Sequence, residues 1–244
     1  FLYINALQEI FSEHTGAFIV DERRGFQPAG LSRFARSRGG HLCDDPKLGC
    51  IATTKQVEFM VTEFVTIEAG MLLQNLGLMA QALGLGGFPN FANHEFGWFE
   101  ALGFRMATMP ASRYLGAGRL VSAGMKMLGR DAPVPYALGL ECGGEILLKA
   151  YSPPYFSSMK DAVLAVMDAK SGAAGTFHRS NPNVAWKASE AVTPNVPRVS
   201  DAAIEATIAY CEYLWDRYGR FPVHLPPFRT VVGFQAAHID AEFY

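Results

Sequence analysis

The segment best suited to ligand chemistry is Leu83-Gly-Leu-Gly-Gly-Phe-Pro-Asn90, which combines three glycines with a proline and an asparagine. Glycine has no Cβ, so a ligand can approach its main chain closely. A helix end would explain one glycine, but three glycines followed by Pro89 and Asn90 indicate exposed backbone. We therefore predict that Gly86, Gly87, Pro89 and Asn90 offer backbone or side-chain contacts to a flat ligand.

A second group of candidate residues lies near the C-terminus, in Gln235-Ala-Ala-His-Ile-Asp240 and at Glu242. His238, Asp240 and Glu242 are plausible ligands for a divalent metal. Alternatively, the carboxylates hold the histidine for acid–base work. On a helix Gln235 and His238 would share a face, whereas on a strand the three ligands would fall at alternate positions. The competing interpretation is a C-terminal segment whose polar residues face water, or a buried histidine with its hydrogen bonds satisfied.

Basic side chains cluster in one Gly-rich stretch, at Arg33, Arg36 and Arg38. A guanidinium group matches phosphate geometry, so Arg36 and Arg38 are candidates to hold a phosphate; the alternative is a solvated loop. Arg220, within Arg217-Tyr-Gly-Arg-Phe-Pro222, is a candidate to meet an acidic substrate group. A helix stop with an aromatic anchor explains that motif equally well.

The composition narrows the classes of function. The 244 residues are 50% hydrophobic and 18% charged, and an average soluble domain has about 25% charged residues. The missing charge indicates a large core, an oligomer interface or a cofactor. A net charge of −2 gives no broad cationic surface for nucleic acid, and we expect neither a nucleic-acid nor a membrane partner. Four scattered cysteines without a CxxC pair argue against a zinc site and favour reduced thiols in the cytoplasm.

One long helix must position the glycine run. Thr53 or Thr54 can cap it, and its apolar pattern continues to about Leu85. Some 30 residues at 1.5 Å each span roughly 45 Å. The apolar stripe is wide enough that we expect the helix to be buried almost all round, in a core or an interface. Polar side chains interrupt residues 69–88, which argues against a membrane-spanning helix.

The other segments alternate between helical and extended patterns. The predicted helices are 1–13, 94–102, 111–128, 159–169 and 202–218. The predicted strands are 17–20, 104–107, 134–140 and 146–151, the last two as a hairpin across Gly143-Gly144. Residues 171–199 are predicted to be a linker or excursion because they are rich in Gly, Ser, Asn and Pro. The segment 231–244 is ambiguous.

The run Gln74-Asn-Leu-Gly-Leu-Met-Ala-Gln-Ala-Leu-Gly-Leu-Gly86, preceded by Glu68-Ala-Gly, resembles the long central helix of the nitroreductase family of FMN flavoproteins. In that family a similar run ends in Ala-Leu-Gly-Leu-Gly, and a short loop, a helix ending in glycine and a strand follow. The same order follows here through Phe88–Phe91, the helix up to Gly103 and Phe104–Ala107. Val134–Gly139 resembles a later strand of the family. The resemblance covers about residues 57–155.

The resemblance implies an α+β fold with a central sheet flanked by helices, a homodimer with the long helix buried at its interface, and FMN bound between subunits. It places Gly86, Gly87, Pro89 and Asn90 near the reactive edge of the flavin ring, where N–H donors would stabilise negative charge. The family carries an Arg-rich phosphate motif on its first helix, whereas the basic cluster here lies in a Gly-rich loop. We accordingly expect a nitroreductase-like domain at 1–170, a linker at 171–199 and a C-terminal helical extension at 200–244.

Three functions follow as hypotheses. The first is an FMN-dependent oxidoreductase that passes electrons from NAD(P)H to a small organic acceptor, with no side chain required as acid or base. The second is a metal-dependent enzyme built on His238, Asp240 and Glu242, with Glu212 or Asp216. The third is a dimeric helical interaction module that binds no small molecule.

Overall fold

The computed structural model describes residues 1–13, 18–20, 51–92, 95–175, 198–223 and 231–238. Within these ranges the chain mixes helices and strands, which confirms the α+β class at this level. The helices are α1 (Leu2–Glu13), α2 (Thr54–Ala82), α3 (Glu95–Ala101), α4 (Ala111–Tyr114), α5 (Arg119–Met127), α6 (Met159–Ser171) and α7 (Asp201–Tyr218). The strands are β1 (Phe18–Val20), β2 (Ile51–Thr53), β3 (Leu85–Ala92), β4 (Phe104–Pro110), β5 (Pro133–Cys142), β6 (Glu145–Lys149) and β7 (Val231–His238).

Local capping signals explain where the main helices begin and end. At the start of α2 the Thr53 hydroxyl accepts from the Gln56 backbone N–H at 3.2 Å, and the Gln56 side chain accepts from the Thr53 N–H at 2.8 Å. This reciprocal capping box satisfies two N–H groups that would otherwise lack partners. The predicted single helix over 111–128 is wrong, because Gly116, with φ +64°, separates α4 from α5.

The described strands form three separate sheets rather than one central sheet. β1 and β2 pair in parallel, and β3 pairs with β7 in an antiparallel ribbon. β4, β5 and β6 form an antiparallel sheet in that order. Its β5–β6 hairpin turns at Gly143 and Gly144, which both have positive φ, as the sequence predicts.

The hydrophobic core is helical and lies between α1, the first turns of α2, α6 and α7. Side chains with less than 2% exposure include Ile4, Leu7, Phe11, Val61, Val163 and Leu214. The helix α7 belongs to this core and packs against α1 and α6. Residues 231–238 form a strand, so only 201–218 of the expected C-terminal extension is helical in the described part. The proposed domain boundaries remain predictions, and most of the expected linker lies outside the described residues.

A buried carboxylate joins three of the core helices. Glu58 on α2 is 5% exposed, and its Oε1 accepts hydrogen bonds from the Tyr3 hydroxyl on α1 and from the Tyr210 hydroxyl on α7, the latter at 3.0 Å. Burial and the neighbouring Glu58 raise the pKa of Tyr3 well above its ordinary value, so this phenol keeps the proton that it donates. A buried carboxylate needs such donors because desolvating an unpaired charge is costly.

The C-terminal half of α2 is not buried within the chain. Val57 and Val61 are covered by the core, but seven large apolar side chains beyond them are 44% to 67% exposed: Ile67, Met71, Leu72, Leu76, Leu78, Met79 and Leu83. The expectation of burial almost all round is therefore wrong for the isolated chain. The helix has 29 residues and extends about 44 Å, beyond the reach of the shorter helices packed at its start. Neither α2 nor any other helix in the described ranges qualifies as a membrane-spanning segment.

Replacing Tyr210 by Phe tests the Glu58 network. We expect Tyr210→Phe to lower the free energy of unfolding by about 1.5–3 kcal/mol, because a hydrogen bond to a buried charged group is lost. Urea denaturation measures this change. Tyr136→Phe is the matched control, since the Tyr136 hydroxyl has no hydrogen bond to the described residues and should change stability by less than about 0.5 kcal/mol. Equal effects of the two substitutions would argue against the network.

Candidate functional site

The glycine run forms a strand, not the predicted loop. α2 ends at Ala82, and the Leu83 N–H then bonds to the Met79 carbonyl at 3.0 Å. Gly84 closes the helix with φ +70°, a backbone conformation that glycine adopts without strain. The chain enters β3 at the next residue. The loop prediction is wrong because these backbone groups pair with a strand far away in the sequence, which no local pattern reveals.

The partner strand β7 brings together the two candidate segments near residues 85 and 238. In the ribbon Leu85 lies opposite His238, and Asn90 lies opposite Gly233. The glycine run and the histidine segment thus form one structure at the C-terminal end of α2. Asp240 and Glu242 lie outside the described residues, and within those ranges no three potential metal ligands come together. The metal site therefore stays a prediction.

The middle of the ribbon carries almost no side chains. Gly86 lies opposite Ala237, and Gly87 lies opposite Ala236, so these four neighbouring positions bear at most a methyl group. Successive residues of a strand face opposite sides, so Gly86 leaves one face of this region bare and Gly87 leaves the other; the region is here called the ribbon patch. The residue pairs that bound it are Leu85 with His238 and Phe88 with Gln235.

The edge of β3 that faces away from β7 has no partner strand among the described residues. Among the described strands β3 pairs only with β7, and alternate residues of a strand direct their N–H and C=O groups to opposite edges. Proline is tolerated within a sheet where its nitrogen faces away from the ladder, which suits Pro89 on this outer edge. Gly87 precedes Pro89 by two residues and shares its edge. We therefore expect the N–H of Gly87 to point away from β7.

The electrostatics at this end of α2 suit a neutral group better than an anion. Carbonyl groups of the last helical turn carry a partial negative charge equivalent to about half an electron, and that turn contains no basic residue. A phosphate would be unfavourable there, whereas an uncharged ring would not be. Arg36 and Arg38, the predicted phosphate ligands, lie outside the described residues, as does Arg33.

Arg220 has a structural role. It is 8% exposed, and its guanidinium donates to the Pro222 carbonyl at 3.1 Å and to the Tyr114 carbonyl at 3.2 Å. Its Cζ also lies 3.7 Å from the centre of the Tyr114 ring, a cation–π contact. These contacts favour the helix-stop interpretation over an acidic-substrate site, because they fasten the end of α7 to α4.

A polar cluster on the three-stranded sheet has no counterpart in the sequence predictions. The Tyr155 hydroxyl donates to Glu141 Oε1 at 2.8 Å, and Arg105 Nη1 lies 3.6 Å from the same oxygen. Burial and the bond to Glu141 raise the pKa of Tyr155. Tyr155 packs over Gly139, where an added Cβ would lie 2.5 Å from the hydroxyl oxygen. The sequence signal for this cluster was Gly139, a glycine inside an apolar strand. The Arg105–Glu141 ion pair is exposed, and exposed ion pairs contribute little to stability.

Comparisons with protein-family models, with curated proteins and with solved structures each found no match. The resemblance to nitroreductases therefore depends on the residues between 57 and 155. Gly86 and Gly87 of the ribbon patch lie within that segment.

The helix end at Gly84 can be tested with a matched pair of glycines. An added Cβ meets nothing within 4 Å at either Gly84 or Gly97, but only Gly84 has a positive φ. We expect Gly84→Ala to lower the free energy of unfolding by about 1–2 kcal/mol, the cost of a left-handed backbone for an L-residue. Gly97→Ala should be neutral or stabilising because it lies within a helix. Denaturant unfolding of both variants checks the geometry, and a neutral Gly84→Ala would contradict it.

Proposed function

We propose that this protein is an FMN-dependent oxidoreductase of the nitroreductase-like type, which passes electrons from NAD(P)H to a small organic acceptor. The ribbon patch carries the proposal, because Gly86 and Gly87 each leave a small area of one face of the ribbon without a side chain, at the end of the long helix. The resemblance assigns the flavin ring to these same positions. The open edge at Gly87 adds a hydrogen-bond donor beside that area.

The residues of the patch fit a planar heteroaromatic ring. Gly86 and Gly87 permit close contact with the main chain, and the Gly87 N–H can donate to a ring atom. Pro89 and Asn90 continue the same strand and are further proposed contacts. When bound, FMN would supply the two-electron chemistry, so the chain needs no acid or base of its own.

The phosphate of the cofactor requires a separate site. The negative end of α2 disfavours an anion near the patch, so the proposed phosphate ligands are Arg36 and Arg38. In this arrangement main-chain groups would hold the flavin ring of FMN, and guanidinium groups would hold its phosphate. The substrate pocket would then lie over the exposed face of the ring.

A homodimer is part of the proposal. Leu72, Leu76, Met79 and Leu83 are spaced by four, three and four residues and are 44% to 67% exposed. This spacing forms the type of seam through which two helices pack. A second copy of α2 would bury these side chains. We place the protein in the cytoplasm, where the free thiols Cys142 and Cys211 would stay reduced.

Flavin binding is tested by two substitutions on one strand. The purified protein should be yellow, or should become so when titrated with FMN. Successive residues of a strand face opposite sides, so a ring on one face of the ribbon should be blocked by only one of Gly86→Val and Gly87→Val. We expect the blocking variant to weaken FMN binding by about tenfold or more, since overpacking costs about 1–3 kcal/mol. Fluorescence titration measures the affinity.

Each of these variants is the control for the other, because both introduce the same side chain into the same strand. Loss of binding in both variants, together with lower stability, would indicate a damaged ribbon. A colourless protein that ignores added FMN would remove the flavin hypothesis.

The homodimer is tested by charging the seam. Leu76→Glu combined with Met79→Glu should convert the dimer to a monomer, because burying two carboxylates in an apolar interface is costly. Gln74→Glu combined with Gln81→Glu is the control, since these exposed residues lie on the other side of α2. Sedimentation velocity distinguishes the species. If only the control pair dissociates the dimer, the seam has been assigned to the wrong face.

A further inference from the structure

Residues 111–132, between β4 and β5, form a closed loop that carries α5; this loop is here called the excursion. Pro110 and Pro133 pair at its base, and the Ala111 N–H bonds to the Ala132 carbonyl at 3.0 Å. The Ser112 N–H bonds to the Asp131 carboxylate at 2.7 Å, and this backbone hydrogen bond lowers the pKa of Asp131. The two ends of the excursion are thus fastened together, and α5 lies between them.

The apolar face of α5 is uncovered. No residue of the helix is buried, and four large apolar side chains of the helix and its C-cap are among the most exposed: Leu120 at 90%, Met127 at 87%, Leu128 at 73% and Val121 at 59%. At about 100° per residue these four lie on one side of the helix, and Arg119 and Lys126 lie on the opposite side. The helix is therefore amphipathic, yet it does not pack its apolar face against the chain.

The excursion also carries a concentrated positive charge. Residues 111–132 contain four basic side chains, Arg113, Arg119, Lys126 and Arg130, and one acidic side chain, Asp131, for a formal charge of +3. The whole chain carries −2, so the rest of the molecule is negative. This asymmetry would orient the protein in an electric field with the excursion facing an anionic surface.

We propose that α5 docks the protein on an anionic membrane surface. A helix that places Leu and Met on one side and Lys and Arg on the other can lie in the interface, with its apolar face among the acyl chains. Long basic side chains reach back to lipid phosphates. Cations alone would suit any polyanion, but the exposed apolar side chains select a surface that has hydrocarbon beneath its charges. Two copies facing each other through this segment would instead bring two +3 regions together.

This proposal departs from the expectation of no membrane partner. That expectation depends on the net charge of the whole chain and on the polar side chains that interrupt residues 69–88. Neither property reveals a local amphipathic helix that lies on a bilayer without crossing it. The proposal is also independent of the flavin site, because Leu120 and Met127 lie outside the ribbon.

Vesicle co-sedimentation of the full chain tests the proposal. Phosphatidylcholine vesicles should bind little, vesicles that also contain phosphatidylglycerol should bind well, and added salt should reduce binding. Leu120→Glu combined with Met127→Glu should weaken binding about tenfold or more. Arg119→Ser combined with Lys126→Ser should remove the preference for phosphatidylglycerol. These side chains are exposed, so thermal midpoints should stay unchanged.

Leu147→Glu is the matched control, because Leu147 is an apolar residue of β6 with 55% exposure and should not affect sedimentation. Lack of binding to both kinds of vesicle would overturn the proposal, as would an equal loss with Leu147→Glu. If the Leu120 and Met127 changes dissociate an oligomer and leave vesicle binding intact, a second copy covers α5 and the membrane proposal fails. FMN content per chain should be the same in all these variants, so the flavin and membrane proposals can fail separately.

Discussion

The packing of this protein depends on one buried carboxylate. Glu58 lies in the second turn of α2 and accepts hydrogen bonds from Tyr3 on α1 and Tyr210 on α7. Three helices that are far apart in sequence therefore share one charged group in an apolar core. Apolar packing alone tolerates sliding between helices, whereas a carboxylate with two phenol donors tolerates very little. We infer that this contact sets the position of α2 relative to the other helices.

The position of α2 in turn determines what the rest of the molecule exposes. Its first turns are held in the core, so its second half must project beyond α1, α6 and α7. The projecting half carries the apolar seam and ends at Gly84, where the chain turns directly into β3. The ribbon patch is thus placed at the end of the same rod that the core anchors. A rigid connection of this kind suits a binding site, because positions on helices and strands are defined more sharply than those on loops.

Local signals in the sequence account for much of the fold. The α1, α6 and α7 helices are predicted within one or two residues, because capping signals act over a few residues. In α7 the Ser200 hydroxyl accepts from the Ala203 N–H at the start, and Gly219, with φ +70°, ends the helix. The β5–β6 hairpin is predicted for the same reason. The pairing of β3 with β7 is not predicted, since it joins residues about 150 positions apart and leaves no periodic trace. Glu58 is likewise predicted only as a residue of the first helical turns, because its tyrosine partners come from distant segments.

The candidate site likewise combines features that local sequence signals reveal with features that only long-range pairing determines. The glycines that form the patch, Gly86 and Gly87, are visible in the sequence as positions without a Cβ. Their conformation depends on β7, so the prediction of a loop is wrong although the residues are the ones that form the patch. Arg220 shows the opposite outcome. Its motif suggested both a ligand contact and a structural stop, and only the tertiary contact with Tyr114 distinguishes them.

The late position of β7 has a consequence for biosynthesis. A ribosome releases α2 and β3 well before residues 231–238 emerge, and Tyr210 also follows Glu58 by 152 residues. Until then, among the described residues, the inner edge of β3 lacks its partner strand and Glu58 lacks the hydrogen bond from Tyr210. The nascent chain therefore carries an unpaired strand edge and an exposed apolar helix while the residues between β3 and β7 are synthesised, a state that promotes aggregation. Completion of β7 pairs the inner edge of β3 and creates the patch in the same step.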